Sequence, residues 1–357
     1  MPPPPQFLKI YPINPRSEIL LMIHPISVIF HPYPIQQGLT PRMRRATIRA
    51  ILTTLTLSAL LYAAPYATPP SFSGQEKINV TVTIEPLAEF VEKVGGDRVK
   101  VSTLIPPGAS PHTYEPKPSQ MTALSNADAL VKVGTDIEFE INWVNKLQRL
   151  NRAVEVIDCS KGIKLITPEP DNGASGASSH KKGIRGGEPH IWLSPRNAIK
   201  MVENIYEGLA EIDPSSRGYY EKNKDAYQEK LSRLDAYIRT RLSDGRTRGF
   251  IVFHPSWTYF AREYGLEQVS IERRGRKPTT KQMIRVIRRA KKMGIGVVIA
   301  SPEFNRSSAE AVAKAVGGRV VLISPLARDY VTNLKRLTLA ISPVISPVIS
   351  PGVGEGA

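Results

Sequence analysis

Cysteine is almost absent from this chain of 357 residues, and Cys159 is the single example. One thiol excludes an internal disulfide framework, and it also excludes a zinc ribbon, which needs pairs of cysteines. Because Cys159 follows the predicted strand Ala153–Ile157, we interpret it as a small buried side chain rather than as a reactive thiol.

Motifs of nucleic-acid recognition are also lacking. The net charge is +16, and 42 basic against 31 acidic residues remain when residues 1–67 are set aside. Such an excess is typical of surfaces that bind nucleic acid or anionic lipid. However, the cations are scattered over predicted helix faces, and the sequence has no zinc finger, no RNA-binding aromatic pattern and no basic region linked to heptads. We therefore expect no nucleic-acid partner.

The first 67 residues differ in composition from the rest of the chain. Residues 1–42 are rich in proline and have no sustained hydrophobic period, which predicts a disordered or untranslated leader. Residues 43–67 combine a basic start with an apolar run to Ala64, which predicts a signal peptide or an uncleaved membrane anchor. No cysteine follows this run, so we expect no lipid anchor. The protein is expected to be exported, to the periplasm or to the outer face of the cytoplasmic membrane.

From Ile78 onward, predicted strands alternate with predicted helices. This alternation indicates parallel sheets covered on both faces, so we expect an α/β fold with two Rossmann-like lobes. The predicted strands are Ile78–Ile84, Val99–Leu104, Ala129–Val133, Ala153–Ile157, Phe250–Phe253, Glu267–Ile271, Gly296–Ala300 and Val320–Ile323. The expected organisation is a tether at residues 68–77, an N-terminal lobe at 78–212, a linker helix at 213–244, a C-terminal lobe at 245–340 and a disordered tail at 341–357.

One long helix is predicted between the lobes. Asp213 and Pro214 form a typical helix start, and Asp244 with Gly245 forms its end. Apolar residues in between recur at spacings of three, four and seven, which indicates one buried face. A helix of this length extends on the order of 45 Å, enough to join both lobes as a rigid linker.

Three histidines occupy similar positions in the sequence. His112, His190 and His254 each follow a predicted strand or a long loop, and each is close to a proline. Ligands of open α/β sheets bind beyond the carboxyl ends of the strands. Neutral imidazole nitrogens suit zinc, and three of them with one open position form a common zinc site. We therefore predict that these three side chains converge on one metal ion. His24 and His31 precede the export segment, and His180 lies in the loop Pro168–Gly187, so these three are not expected to be ligands.

The segments around these histidines are Pro107–Pro116, Glu188–Pro195 and Phe253–Phe260, and they resemble the zinc and manganese solute-binding proteins of ABC transporters. The resemblance extends over roughly residues 78–339. It implies two α/β lobes bridged by one rigid helix, with the metal ion in the cleft between them. Manganese members tend to have glutamate where this chain has His254, so the resemblance implies Zn²⁺ as cargo, with Mn²⁺ as the alternative.

The fourth ligand departs from the pattern of that family. The family has an aspartate before a Pro-Leu pair, and Ser324 occupies this position here. Serine is a poor neutral ligand for zinc, so water, Glu303, Asp329 and Ser324 stay open as the fourth ligand. Loss of the carboxylate favours zinc over manganese further, and it lowers affinity unless another group replaces the charge.

Neighbours of the histidines predict how the rings are held. Tyr114, Glu115 and Glu188 are close to the ligands in sequence and could accept hydrogen bonds from imidazole N–H groups. Trp192 and Trp257 are expected to pack as apolar walls of the site.

A secreted zinc hydrolase and a surface or adhesin protein stapled by zinc are the alternatives. A hydrolase with three histidines needs a positioned general base, and the sequence has no His-Glu-x-x-His motif and no paired carboxylates. We therefore predict that the protein is not an enzyme. It is expected to be a monomeric receptor that captures Zn²⁺ outside the cytoplasm and delivers it to an ABC permease, with release by loop movement rather than by wide opening of the lobes.

Overall fold

The computed structural model describes residues 76–167, 187–272, 278–303 and 306–342. The predicted leader and signal peptide, most of the tether, the tail from residue 343 and most of the Pro168–Gly187 loop lie outside these residues. Among the helices of the described part, none combines the length and the apolar character that crossing a membrane requires.

The first lobe is built on a parallel sheet of four strands. The strands are β1 (Ile78–Val82), β2 (Val99–Thr103), β3 (Ala129–Lys132) and β4 (Glu155–Asp158), and they lie in the order β2-β1-β3-β4. The helices that connect them are α1 (Glu85–Gly95), α2 (Pro118–Ser125) and α3 (Asn145–Leu150). A π-helical turn, Glu140–Val144, precedes α3. Gly96 ends α1 with a φ of 53°, as expected for a glycine that terminates a helix.

The second lobe repeats this arrangement. Its strands are β5 (Gly249–Val252), β6 (Glu267–Ser270), β7 (Val297–Ala300) and β8 (Arg319–Leu322), in the parallel order β6-β5-β7-β8. Its helices are α6 (Thr258–Glu263), α7 (Thr280–Met293), α8 (Arg306–Val316) and α9 (Tyr330–Ile341). All four residues of β5 are buried, as is usual for a central strand covered by helices on both faces. The predicted α/β fold with two parallel sheets is confirmed.

Among the described residues, two long helices come after the last strand of the first sheet and before the first strand of the second sheet. Helix α4 (Pro195–Ile212) was not predicted, whereas α5 (Arg217–Leu242) is the predicted linker helix. Helix α5 begins a few residues later than predicted, because Pro214–Ser216 forms a separate 3₁₀ turn capped by Asp213. Its 26 residues extend about 39 Å.

The main hydrophobic core extends through both lobes. It contains Val80 and Val131 of the first sheet, Leu231 of α5 and Phe250 of the second sheet. A second, smaller cluster lies between the outer face of the second sheet and helices α7 and α8. Because one core joins α5 to both sheets, the lobes form one compact unit.

Candidate metal centre

The second sheet places four polar residues at one edge. His254 follows β5, Glu272 follows β6, Glu303 follows β7 and Ser324 follows β8, each within three residues of the strand end. The carboxyl ends of parallel strands lie at the same edge of the sheet, so these residues come together although up to 70 positions separate them in the sequence.

The first lobe contributes the other two histidines. His112 lies in the loop between β2 and α2, and His190 lies directly before a 3₁₀ turn, Ile191–Leu193, that leads into α4. Ser194 caps α4, because its hydroxyl accepts a hydrogen bond from the backbone N–H of Asn197. This cap fixes the chain only four residues after His190.

The structure brings the three predicted histidines together. The ring centroids of His112 and His254 are 4.7 Å apart, those of His190 and His254 5.3 Å, and those of His112 and His190 5.8 Å. One nitrogen from each ring lies within 4.8 Å of the other two. A tetrahedral zinc ion with Zn–N distances of about 2.0–2.1 Å keeps its ligand atoms about 3.4 Å apart. A small inward movement of the rings is therefore enough to hold such an ion.

Each of these rings has a carboxylate beside its Nδ1 atom. Nδ1 of His112 lies 2.6 Å from Oε2 of Glu138, and Nδ1 of His254 lies 3.4 Å from Oε1 of Glu272. Nδ1 of His190 forms a short hydrogen bond with Oε1 of Glu188. Carboxylates in this position fix the ring orientation and the tautomer of a metal-binding histidine.

Burial and charge set the ionisation of the His190 pair. Burial lowers the pKa of the His190 ring, and Glu188 opposes this effect without reversing it. Burial alone would raise the pKa of Glu188, but the charge and the hydrogen bond of His190 outweigh burial and lower it. The lowered pKa of His190 favours the neutral imidazole, which is the form that binds a metal ion.

A small cavity joins the histidines to the second sheet. Its walls include Trp192, Glu303, Pro325 and Leu326 in addition to the three rings. The ring centroids of Trp192 and His190 are 5.2 Å apart, so this tryptophan packs as the predicted apolar wall. Trp257 is fully buried and packs against Phe260, and the cavity walls do not include it.

The candidates for the fourth ligand differ in position. Glu303 lines the cavity, and its Oε1 accepts a hydrogen bond from the hydroxyl of Ser324. Its Oε2 is buried and has no hydrogen-bond partner among the described residues. Asp329 instead caps α9, because its Oδ1 accepts a hydrogen bond from the N–H of Thr332 at 3.2 Å. The ligand atoms of the three histidines lie within 4.8 Å of one another, and Glu303 does not belong to this group. Its carboxylate therefore lies further from the rings.

The predicted partners of the rings were partly wrong. Glu188 is confirmed as the partner of His190. Tyr114 instead donates its hydroxyl to Gln120, at 2.8 Å, and Glu115 is exposed. Glu138 and Glu272 take the places beside His112 and His254, and neither was predicted. The position of Glu272, directly after a strand that neighbours β5, could have indicated it.

Known proteins similar to this chain were identified by sequence and by structure. The model of the family ZnuA, described as zinc-uptake complex component A, periplasmic, matches residues 80–343. The zinc-binding lipoprotein AdcA of Streptococcus pneumoniae is 31% identical over 261 residues, which are 70% of this chain and 50% of that protein. The chain thus spans about half the length of this relative.

Two further proteins are similar over most of their length. The high-affinity zinc uptake system protein ZnuA of Bacillus subtilis is 29% identical over 256 residues, which are 71% of this chain and 80% of that protein. A crystal structure of a ZnuA deletion mutant with zinc bound has a TM-score of 0.67 and 38% identity, and the match covers 75% of this chain and 99% of the other. Because the family model also matches well over half of the sequence, this chain belongs to the ZnuA family of periplasmic zinc-uptake components.

Proposed function

We propose that this protein is a zinc receptor that captures Zn²⁺ outside the cytoplasm through His112, His190 and His254. The observation that carries the proposal is the convergence of three imidazoles, each with a carboxylate at Nδ1. With Nδ1 engaged in this way, Nε2 is the atom of each ring that binds the ion. Members of the family are solute receptors rather than enzymes, so the hydrolase alternative is set aside.

Zinc is the proposed cargo for two reasons. Three neutral nitrogen ligands suit Zn²⁺ better than Mn²⁺, which prefers carboxylate, carbonyl and water oxygens. The names of the relatives AdcA and ZnuA also refer to zinc. The proposed ligands include no cysteine, and such a site suits an ion that has to be released again.

Glu303 is the proposed fourth ligand. Its Oε2 is buried inside the cavity, while Ser324 holds the other oxygen. A carboxylate from the end of β7 thus compensates for the serine at the position where the family has an aspartate. The carboxylate has to move toward the histidines when the ion binds, because it lies outside their 4.8 Å cluster.

Delivery to a membrane permease is the second part of the proposal. It is supported by the family description, in which the protein is a component of a zinc-uptake complex. Delivery requires a receptor that stays folded without its cargo, whereas a protein stapled by zinc unfolds when the ion is removed. Circular dichroism of the protein stripped with a chelator distinguishes these two cases.

Direct metal binding tests the site. Isothermal titration with Zn²⁺ and Mn²⁺ on stripped protein is expected to give one tight zinc site and weaker manganese binding. His112→Ala and His254→Ala are expected to reduce zinc affinity by at least about 100-fold, because each removes one of three nitrogen ligands. His180→Ala is the matched control and is expected to leave affinity unchanged. Unchanged binding in the first two variants would overturn the proposal.

Substitution of Glu303 tests the fourth ligand separately. Glu303→Gln keeps the size of the side chain but removes its charge, and we expect zinc affinity to fall about 10-fold or more. Glu155→Gln is the matched control, since Glu155 is an exposed carboxylate on β4 that does not line the cavity. Zinc binding by Glu303→Gln as tight as that of the wild type would exclude the Glu303 carboxylate as the fourth ligand and leave water or Ser324.

A further inference from the structure

A short loop of the second lobe covers the metal cavity and is held by the first lobe. We call residues 324–329, between β8 and α9, the latch loop. Its residues Pro325 and Leu326 form part of the cavity wall. The indole N–H of Trp192 donates a hydrogen bond to the carbonyl of Pro325, at 2.8 Å. The loop is therefore in contact with the residue that also packs against the His190 ring.

The residue that follows the latch loop is fixed to the first lobe by two hydrogen bonds. The backbone N–H of Tyr330 donates to Oε2 of Glu89, at 2.6 Å, and the Tyr330 hydroxyl donates to the carbonyl of Trp192, at 2.7 Å. Glu89 and Tyr330 are both buried, so this end of the loop is held in an environment that water does not reach. Buried hydrogen bonds of this kind make a stable anchor.

Arg328 makes the remaining attachment, and this one is at the surface. Its guanidinium donates to Oε2 of Glu85, at 2.9 Å, and to Oε1 of Glu92, both on helix α1 of the first lobe. The side chains of Arg328 and Glu92 are each 45% exposed, whereas that of Glu85 is 11% exposed. The pair of Arg328 with Glu92 is weak because water screens it, so Arg328 detaches more easily than the buried anchor does.

We propose that Arg328 is a positioning residue that holds the latch loop over the bound ion and limits the rate at which zinc leaves. This inference rests on the proposed function. The shared core of the two lobes opposes wide opening, so the ion leaves more easily past a loop than between separating lobes. The pair of Arg328 with Glu92 is exposed, so a charged residue of a docking permease can compete for either side chain and release the loop.

The rate of zinc release tests this role. Zinc-loaded protein is mixed with an excess of a chromogenic chelator in a stopped-flow instrument, and the rate of colour formation is measured. Arg328→Ala is expected to release zinc about fivefold faster than the wild type, the change that corresponds to one exposed ion pair. Arg328→Lys keeps the charge and is expected to restore most of the slow release. Added salt is expected to accelerate release from the wild type and to have little effect on Arg328→Ala.

Controls separate positioning from general stability. Arg246→Ala removes another exposed ion pair, with Asp244, and is expected to release zinc at the wild-type rate. Glu92→Gln removes only the exposed pair and is expected to leave the unfolding midpoint of the zinc-free protein unchanged, whereas Arg328→Ala also leaves the largely buried Glu85 without this partner and is expected to lower it. If Arg328→Ala does not fold, Glu92→Gln carries the test with the same expectation of faster release.

The outcomes distinguish the two proposals. Equal release rates for the wild type, Arg328→Ala and Glu92→Gln overturn the role of Arg328 while zinc capture stands. Faster release in Arg246→Ala as well would also overturn it, since the effect would then be one of surface charge in general. A wild-type protein that binds no zinc overturns both.

Discussion

The three histidines of the cavity differ in how firmly their rings are held. His190 is buried and paired with a largely buried carboxylate, whereas Glu138, the partner of His112, is half exposed. A carboxylate that water screens less holds the ring more firmly. His190 is therefore fixed more strongly than His112, whose ring adapts more easily to an arriving ion.

This difference leads to a prediction for the carboxylates. Glu188→Gln is expected to reduce zinc affinity about 10- to 100-fold, because it weakens the bond that orients the His190 ring. Glu138→Gln is expected to have a smaller effect, since its side chain is 52% exposed. Competition with a fluorescent zinc chelator measures both. Glu115→Gln is the control and should bind like the wild type; a loss of affinity in this variant equal to that of Glu188→Gln would contradict the assignment.

At the residue level, the convergence of the three histidines could be predicted from the sequence, but only one of their three carboxylate partners could. The histidines stand out because each is close to a strand end and has prolines nearby. Glu188 could be predicted because it lies two residues from His190. Glu138 lies 26 residues from His112, and its contact depends on how the segment after β3 folds back, which no local pattern encodes.

At the scale of elements, the end of β3 is fixed by a buried carboxylate. Oε1 of Glu140 accepts hydrogen bonds from the Thr83 hydroxyl and the Val133 N–H, each at 2.7 Å, and Oε2 accepts one from the Gly134 N–H at 2.8 Å. Burial raises the pKa of Glu140 above its ordinary value of 4.5, although these donors act in the opposite direction. The segment that leads to Glu138 thus starts from a fixed point.

The raised pKa of Glu140 predicts a dependence of stability on pH. The folded state holds the proton of this carboxyl more tightly than the unfolded state does. Its contribution to the free energy of unfolding is therefore fully present below pH 4.5 and declines as pH rises through the folded-state pKa. Urea unfolding of wild type and Glu140→Gln between pH 4 and 7 measures it: the wild type should lose stability relative to the variant as pH rises. A difference that is constant with pH would contradict the prediction.

Removal of the Glu140 side chain gives a second test of this element. Glu140→Ala leaves the N–H groups of Val133 and Gly134 without their acceptor, which is expected to cost about 3 kcal/mol in the free energy of unfolding. Urea unfolding measures the change. Glu155→Ala, an exposed carboxylate on β4, is the control and should change stability by less than about 0.5 kcal/mol. Equal losses in the two variants would show that the hydrogen bonds of Glu140 have no special role.

The sequence predicted helix α5 well and missed α4. The spacing of Tyr220, Leu231 and Leu234 follows one helix face, and all three are buried. The start of α4 has the same type of sequence, a serine cap followed by proline, at Ser194 and Pro195. These two residues belong to the segment of His190, and we interpreted them as part of the metal motif. One segment serves both purposes: its histidine faces the cavity, and its serine starts the helix.

At the scale of the whole molecule, the shared core limits movement of the lobes. The ring centroid of Phe90 on α1 lies 5.1 Å from the ring centroid of Tyr330 on α9 and 6.1 Å from that of Tyr227 on α5. Aromatic contacts that join elements of both lobes make large rotations costly, because a rotation would expose these rings to water. The boundaries of the two lobes predicted from the sequence stay a prediction, since contacts join the described residues of both lobes into one unit.

Solution scattering tests this restriction. The radius of gyration of the zinc-free and zinc-loaded protein is expected to agree within about 1 Å, because the ion moves loops and not lobes. Excess zinc is expected to raise the unfolding temperature of a protein that is already folded without it, since a ligand that binds the folded state stabilises it by mass action. Strong compaction on loading, or loss of secondary structure after chelation, would contradict this description.

The contact of Phe90 with Tyr330 also bears on how the protein is synthesised. The N-terminal half emerges from the ribosome with Phe90 before its partner on α9 exists, and over 200 residues must follow before this ring is covered. Neither half is therefore expected to be soluble when expressed alone. An exported chain of this kind has to be kept from premature aggregation until α9 has been translated.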